Sequence, residues 1–200
     1  LLSFYAVIAG FPIPIILALA LNEIRKGLFQ RTVQMATYAP YFISTVVVVS
    51  MIIMILSPGT GLASDVFGLF GVEQPNLLAD PDYFRHIYVW SDIWQTAGYS
   101  AVIYLAALSA VDPSLYEAAR VDGASRLQKI WHVDLPSIMP TAVIVLVLSV
   151  GNIMAIGFEK AFLLQNTLNL SASEIIPTYV YKVGLINADF SQATAIGLLN

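Results

Sequence analysis

Thr32–Ser64 reads TVQMATYAPYFISTVVVVSMIIMILSPGTGLAS, thirty-three residues without one charged side chain. A helix needs about 20 mostly apolar residues to cross the hydrocarbon of a bilayer. This stretch is long enough with residues to spare. The same reading extends outward along the chain. Leu1–Asn22, Ile93–Val111 and Leu135–Phe158 are also free of charge, over 22, 19 and 24 residues. Phe190–Asn200 begins another such run. One apolar run of this kind is compatible with a buried core helix, but four in 200 residues point to an all-α polytopic membrane bundle. The expected spans are about 3–21, 38–57, 90–110 and 137–157, with the start of another at 190–200.

Composition agrees. Apolar residues make up 58% and charged residues 11%. A soluble domain carries about 25% charged residues. With 9 Lys and Arg against 13 Asp and Glu there is too little polar surface for a soluble enzyme, and the net charge of −4 argues against nucleic acid as a partner. The chain has no Cys, which excludes disulfides and thiolate metal sites. The chain opens at Leu1 directly in an apolar run, with neither a basic leader nor a cleavage signal, and stops at Asn200 early in another. Both ends are expected to be cut from a longer protein.

Basic residues set the orientation. Arg25, Lys26 and Arg31 stand between the first and second spans, and Arg120, Arg126 and Lys129 between the third and fourth. These six of nine place both loops in the cytoplasm. The segments 58–89 and 158–189 then form outer loops, the first rich in Gly, Pro and acidic residues. Pro12 and Pro14 in the first span are tolerated where neighbours satisfy the freed carbonyls. Met51 and Met54 read as core filling. Trp90 and Trp94 fit an aromatic belt near the outer end of the third span.

The cytoplasmic segment 112–136 carries the most information. Asp112-Pro113 is a helix-start signal. Leu115, Ala118 and Ala119 share a face, made small by its alanines. Glu117 and Arg120 form a flanking pair. Gly123 suits the left-handed residue that ends a helix. Ser125-x-x-Gln128 reads as a capping box opening a second short helix, which Leu135-Pro136 should end. On these grounds alone the elbow is either a plain connector or a rigid element that docks in a groove of another protein.

Glu117-Ala118-Ala119, three residues, Gly123, nine residues and Val133-x-Leu135-Pro136 resembles the EAA motif of the permease subunits of binding-protein-dependent ABC importers, with Val133 where that pattern has Ile. Gly157-Phe158-Glu159-Lys160 through Tyr179-Val180-Tyr181, and Asn22-Glu23-Ile24-Arg25, resemble the subgroup that imports oligosaccharides and polysaccharide fragments. The resemblance implies the type I (MetI-like) permease bundle, here lacking the first span and most of the last. It implies a multi-pass subunit of the bacterial cytoplasmic membrane that moves a solute, an oligosaccharide above all, by alternating access. A second permease would complete the path. Two cytoplasmic ATPase subunits would each receive one elbow, and an extracellular or periplasmic binding protein would deliver cargo. The chain itself would hold no cofactor; ATP and magnesium belong to the ATPases, and no Gly-x-x-x-x-Gly-Lys-Ser/Thr occurs here. Glu117, Ala118, Ala119, Gly123, Leu135 and Pro136 would couple the chain to the ATPases.

Gln95, Tyr99, Tyr104 and Asn152 are candidates for the cargo path, being hydrogen-bonding side chains at membrane depth. Asp92 and Glu159, near the outer boundary, are candidates for contact with cargo or the binding protein. Three other readings remain: an importer for a different cargo, a channel or carrier outside the ABC class, and an intramembrane enzyme. For the last, Gly98-x-Ser100 resembles the serine of rhomboid-type proteases. A serine nucleophile needs a base in reach, and the two histidines, His86 and His132, fall in loops expected on opposite sides of the membrane. No His-Glu-x-x-His is present for zinc.

Overall fold

The computed structural model describes residues 2–24, 27–153 and 157–198. In chain order its α-helices are α1 (Leu2–Gly10), α2 (Pro12–Glu23), α3 (Leu28–Tyr38), α4 (Thr45–Leu56), α5 (Leu62–Leu69), α6 (Pro81–Ser109), α7 (Pro113–Val121), α8 (Arg126–Lys129), α9 (Leu135–Gly151), α10 (Phe158–Leu164), α11 (Leu170–Ser173), α12 (Ile176–Tyr181) and α13 (Phe190–Gly197). No strand occurs among the described residues.

Several boundaries follow from identifiable side chains. Phe11 keeps helical dihedrals and its N–H bonds the Val7 carbonyl at 2.9 Å, so α1 and α2 form one helix despite the prolines. The stretch expected to span over 38–57 is divided. α3 ends at Tyr38, a 3₁₀ turn containing Pro40 follows, and Ser44 caps a new helix by accepting from the Val47 N–H. Pro40 cannot donate to a helical ladder, and Ser44 offers the next helix its start. α4, with 12 residues, rises about 18 Å, short of the roughly 30 Å of hydrocarbon.

The third apolar run lies in a helix that begins well before it. Asp80 Oδ1 accepts from the Asp82 N–H at 2.9 Å and Pro81 opens α6, which continues for 29 residues. The second elbow helix does not stop at Leu135-Pro136. A π-turn over Ile130–Asp134 joins α8 to α9, giving an unbroken Arg126–Gly151 helix. Pro136 thus lies inside this continuous helix, directly after the π-turn, where the local widening of the ladder accommodates a residue with no N–H to donate. Leu2–Glu23 and Arg126–Gly151 are each long and apolar enough to cross a membrane. Arg25, Lys26, the 154–156 part of the fourth expected span and the last two residues of the fifth lie outside the described residues.

The chain forms two compact units, one of Ser3–Phe42 with Asp92–Ile153, the other of Ile43–Ser91 with the described residues from 157 on. The core of the first is Ala18, Ala101, Tyr104, Leu108, Ile138 and Ala142, drawn from α2, α6 and α9. Small residues let these helices approach closely. The tightest approach is at Gly98, where a Cβ would lie 1.9 Å from the Thr37 carbonyl oxygen. In the second unit, Asn169 is fully buried; its side chain donates to the carbonyls of Leu78 and Leu164 at 3.0 and 3.1 Å and accepts from the Asn166 N–H. The rings of Phe158, Phe162 and Tyr181 cluster with centroids 5.0–5.4 Å apart. These contacts fold the segment 158–189, expected as an outer loop, into short helices.

Candidate functional site: the elbow between α6 and α9

The elbow starts where its first carboxylate satisfies an orphan donor. Asp112 Oδ1 accepts from the Ser114 N–H at 2.9 Å, with Pro113 at the first helical position. That hydrogen bonding to Ser114 holds the Asp112 carboxyl below its ordinary value. α7 then runs for nine residues. At its far end Gly123 has φ +70°, the Gly123 N–H bonds the Arg120 carbonyl at 3.2 Å, and the Ala124 N–H bonds the Ala119 carbonyl at 2.9 Å. This pair of bonds is a Schellman motif, and it needs a left-handed residue at position 123. Ser125 and Gln128 then cap α8 reciprocally. Gln128 Oε1 accepts from the Ser125 N–H at 2.7 Å and Ser125 Oγ from the Gln128 N–H at 3.4 Å.

The inner side of the elbow is polar and joined to α2. The Tyr116 hydroxyl donates to Asp134 Oδ1 at 2.5 Å. Asp134 is completely buried in the π-turn at the root of α9. The Asn22 side chain hydrogen-bonds the same tyrosine, and the Glu23 carboxylate acts on it through its charge. Burial first, and then the hydrogen bond and charge of Asp134, push the Tyr116 hydroxyl up to about 12. Glu23 also lies 3.7 Å from Lys129 Nζ and 4.0 Å from Arg126 Nε, in an open cleft of about 790 Å³ that also touches Ala20, Ile24 and Phe29. Arg126 is 82% exposed, so that pair adds little stability. Together these contacts bring the last turn of α2 to the elbow. Of the Asn22–Arg25 segment, Arg25 lies outside the described residues.

The outer side is open and apolar. Leu115, Val121, Leu127 and Trp131 are exposed by 48, 87, 70 and 65%. Glu117, Ala118, Gly123 and Pro136 are exposed, and Ala119 and Leu135 half-buried. No atom lies within 4 Å of the place a Gly123 Cβ would take. A rigid, twice-capped turn that shows alanine and apolar side chains outward has the form of a docking element.

The cargo candidates are dispersed. Tyr104 is 1% exposed and belongs to the helix-packing core. Gln95 is buried. Tyr99 is 48% exposed and stacks on Tyr41, rings 4.0 Å apart and nearly parallel. Asn152, at the end of α9, donates to the Leu148 carbonyl of its own helix at 2.9 Å. Glu159 is exposed at the start of α10. His132 Nδ1 sits 2.9 Å from the Gln128 carbonyl oxygen, a contact within its own helix. Gly98, read with Ser100 as a trace of a nucleophile motif, has a packing role against Thr37. Among the described residues no group of three or more His, Asp or Glu is arranged to hold a metal.

On sequence alone Tyr116 and Asp134 carry no assigned role, and Lys160 enters only as part of the Gly157–Lys160 resemblance, with no expectation of burial. Asp134 stands at the start of the charge-free run 135–158, as Glu159 stands at its end. Lys160 is 4% exposed, with its ammonium 5.4 Å from the centre of the Tyr88 ring. Nothing in its local spacing marks it as buried.

Comparison with known proteins matches residues 10–199 to the family described as binding-protein-dependent transport system inner membrane component. The chain belongs to that family of membrane-embedded permeases. It is 46% identical over 188 residues to the polygalacturonan/rhamnogalacturonan transport system permease protein YteP of Bacillus subtilis (strain 168), covering 94% of this chain and 59% of that protein. It is 40% identical over 189 residues to protein LplB of the same organism, with coverages of 94% and 59%. The chain thus spans somewhat under two thirds of the length of these relatives. A crystal structure of a bacterial ABC transporter involved in the import of the acidic polysaccharide alginate superposes with TM-score 0.96 at 40% identity, over 100% of this chain and 70% of that one.

Proposed function

We propose that this chain is the transmembrane permease subunit of an ATP-driven importer of the bacterial cytoplasmic membrane, with a fragment of an acidic polysaccharide as cargo. One observation carries the coupling half of that reading. The elbow 112–136 is a capped, solvent-facing turn rooted directly in the long helix Arg126–Gly151. Family membership and the alginate and polygalacturonan/rhamnogalacturonan transporters among its relatives support the cargo half.

In this reading ATPase subunits grip the face formed by Glu117, Ala118, Ala119 and Gly123, with Leu135 and Pro136 at the base. ATP binding draws the ATPases together, the elbow moves as a rigid body, and α9 moves with it. A companion permease completes the path, and a binding protein presents cargo at the outer face. Of the path candidates, Tyr99 offers an exposed ring suited to stacking on a sugar and Asn152 an exposed hydrogen-bonding side chain, whereas Gln95 is buried and serves packing. Tyr104 serves the packing of the path's wall.

The experiment is purification of the full-length chain from its native membrane, followed by reconstitution and uptake assays. A partner carrying Walker motifs should co-purify, and oligogalacturonides or oligoalginates delivered by the binding protein should stimulate ATP hydrolysis. Solute flux without any ATPase refutes the assignment. Stimulation by neutral oligosaccharides alone refutes the acidic cargo.

A further inference from the structure

The covalent route from the face that docks to the helix that must move turns at a single left-handed residue, Gly123. α7 is nine residues long, too short to be rigid by itself, and it connects to α8 through Gly123, whose surroundings are open within 4 Å of a Cβ position. The Schellman pair and the capping box hold this turn, and a second tie that bypasses it would carry a push on α7 to α9 more directly.

Such a tie exists. The Tyr116–Asp134 hydrogen bond joins residues 18 apart and closes α7, the glycine turn and α8 into a loop anchored at the root of α9. The choice of residue at 134 is costly. Asp134 is completely buried and its Oδ2 has no hydrogen-bond partner among the described residues. A half-satisfied buried carboxylate is expensive, and an apolar pair of matching shape in place of both Tyr116 and Asp134 would hold the fold at least as well. Buried polar groups that cost stability are known to serve by fixing one arrangement against others. The carboxylate also sits in a π-turn, a local widening of the helix that recurs at working positions.

We propose that Tyr116 and Asp134 are positioning residues forming the strut through which movement of the elbow reaches α9. Neither touches the ATPase or the cargo in this role. The inference rests on the docking role proposed above, and its test separates the two.

The full-length permease, with its companion subunits, is reconstituted as wild type, Tyr116→Phe and Asp134→Asn. Uptake per ATP hydrolysed is measured after assembly has been verified by co-purification. Tyr116→Phe keeps the ring and removes the donor, and the ratio should fall about tenfold, the scale of one hydrogen bond to a charged acceptor. Asp134→Asn keeps an acceptor oxygen for Tyr116 and should retain most of the coupling. A merely structural role would lower yield or melting temperature and leave the ratio of assembled complexes intact; that outcome overturns the strut. Wild-type coupling in Tyr116→Phe alongside an uncoupled Gly123→Asp overturns the strut and leaves docking standing. Absence of any ATPase partner in the wild type overturns docking itself. Should Tyr116→Phe not assemble, spin labels on cysteines replacing Val121 and Met139 decide the matter; residues 1–200 hold no other Cys, and any Cys elsewhere in the full-length permease is first replaced by Ser. One sharp distance, equal with and without ATP, supports a rigid elbow, and a distance that changes overturns it.

Discussion

Gly123 separates a conformational requirement from a docking requirement. Its φ of +70° is left-handed, and an L side chain there costs about 1–2 kcal/mol, less for Asn and Asp. Within the chain nothing else opposes a side chain, because no atom lies within 4 Å of the Cβ position. Gly123→Ala should therefore weaken the turn by a factor of about 5–30, and Gly123→Asn by less. Two capping systems hold the turn on either side, so all such variants should fold and reach the membrane. If backbone conformation were the whole requirement, uptake would fall in the order Asn, Asp, then Ala, with Ala worst. If the bend must enter a groove of an ATPase, size and charge decide instead, and Asp should be worst, with co-purification of the ATPase lost together with uptake. The assay is uptake of labelled oligosaccharide by reconstituted transporter, paired with quantitation of bound ATPase. Near-normal uptake by Gly123→Asp and Gly123→Asn, with only Ala impaired, would refute the groove.

Other expectations concern stability and protonation. Gly98→Ala places a methyl 1.9 Å from the Thr37 carbonyl oxygen, so α3 and α6 must part by more than 1 Å; overpacking of this kind costs about 1–3 kcal/mol and should lower the melting temperature of the purified protein. Unchanged melting would show that the close approach is absent. Ser125→Ala removes half of the capping box and should cost about 0.5–2 kcal/mol, read as faster amide exchange through α8 with little effect elsewhere. Asp112 has a lowered carboxyl value, so its cap is present above the ordinary carboxylate range and is lost as pH falls through the lowered value. Amide exchange at Ser114 should accelerate only in that acidic window, and Asp112→Asn should remove the dependence. Tyr116 has a raised value, so its stabilising bond is complete below pH 10 and is lost as pH rises through about 12. A phenolate absorbance titration of the wild type should show a late component that Tyr116→Phe lacks.

Much of the architecture is settled among a few neighbouring residues. Long charge-free runs become apolar helices because unpaired backbone groups are intolerable in lipid. Asp112-Pro113, Gly123 and Ser125-x-x-Gln128 mark the elbow because each acts on backbone groups two to five residues away. Asp80-Pro81 carries the same start signal as Asp112-Pro113, and it accounts for α6 beginning ahead of its apolar run. Features that depend on distant partners emerge only once the chain has folded. An apolar run looks alike on every side, so nothing local distinguishes Tyr104, packed between α2 and α9, from Tyr99, open and stacked on Tyr41. Gly98 is spacing-neutral until Thr37 lies against it. Whether Leu135-Pro136 ends one helix or starts the next turned on a π-turn that keeps the ladder unbroken. Asp134 became a partner for Tyr116 because the elbow folds back across 18 residues, a closure that no pattern of adjacent side chains encodes.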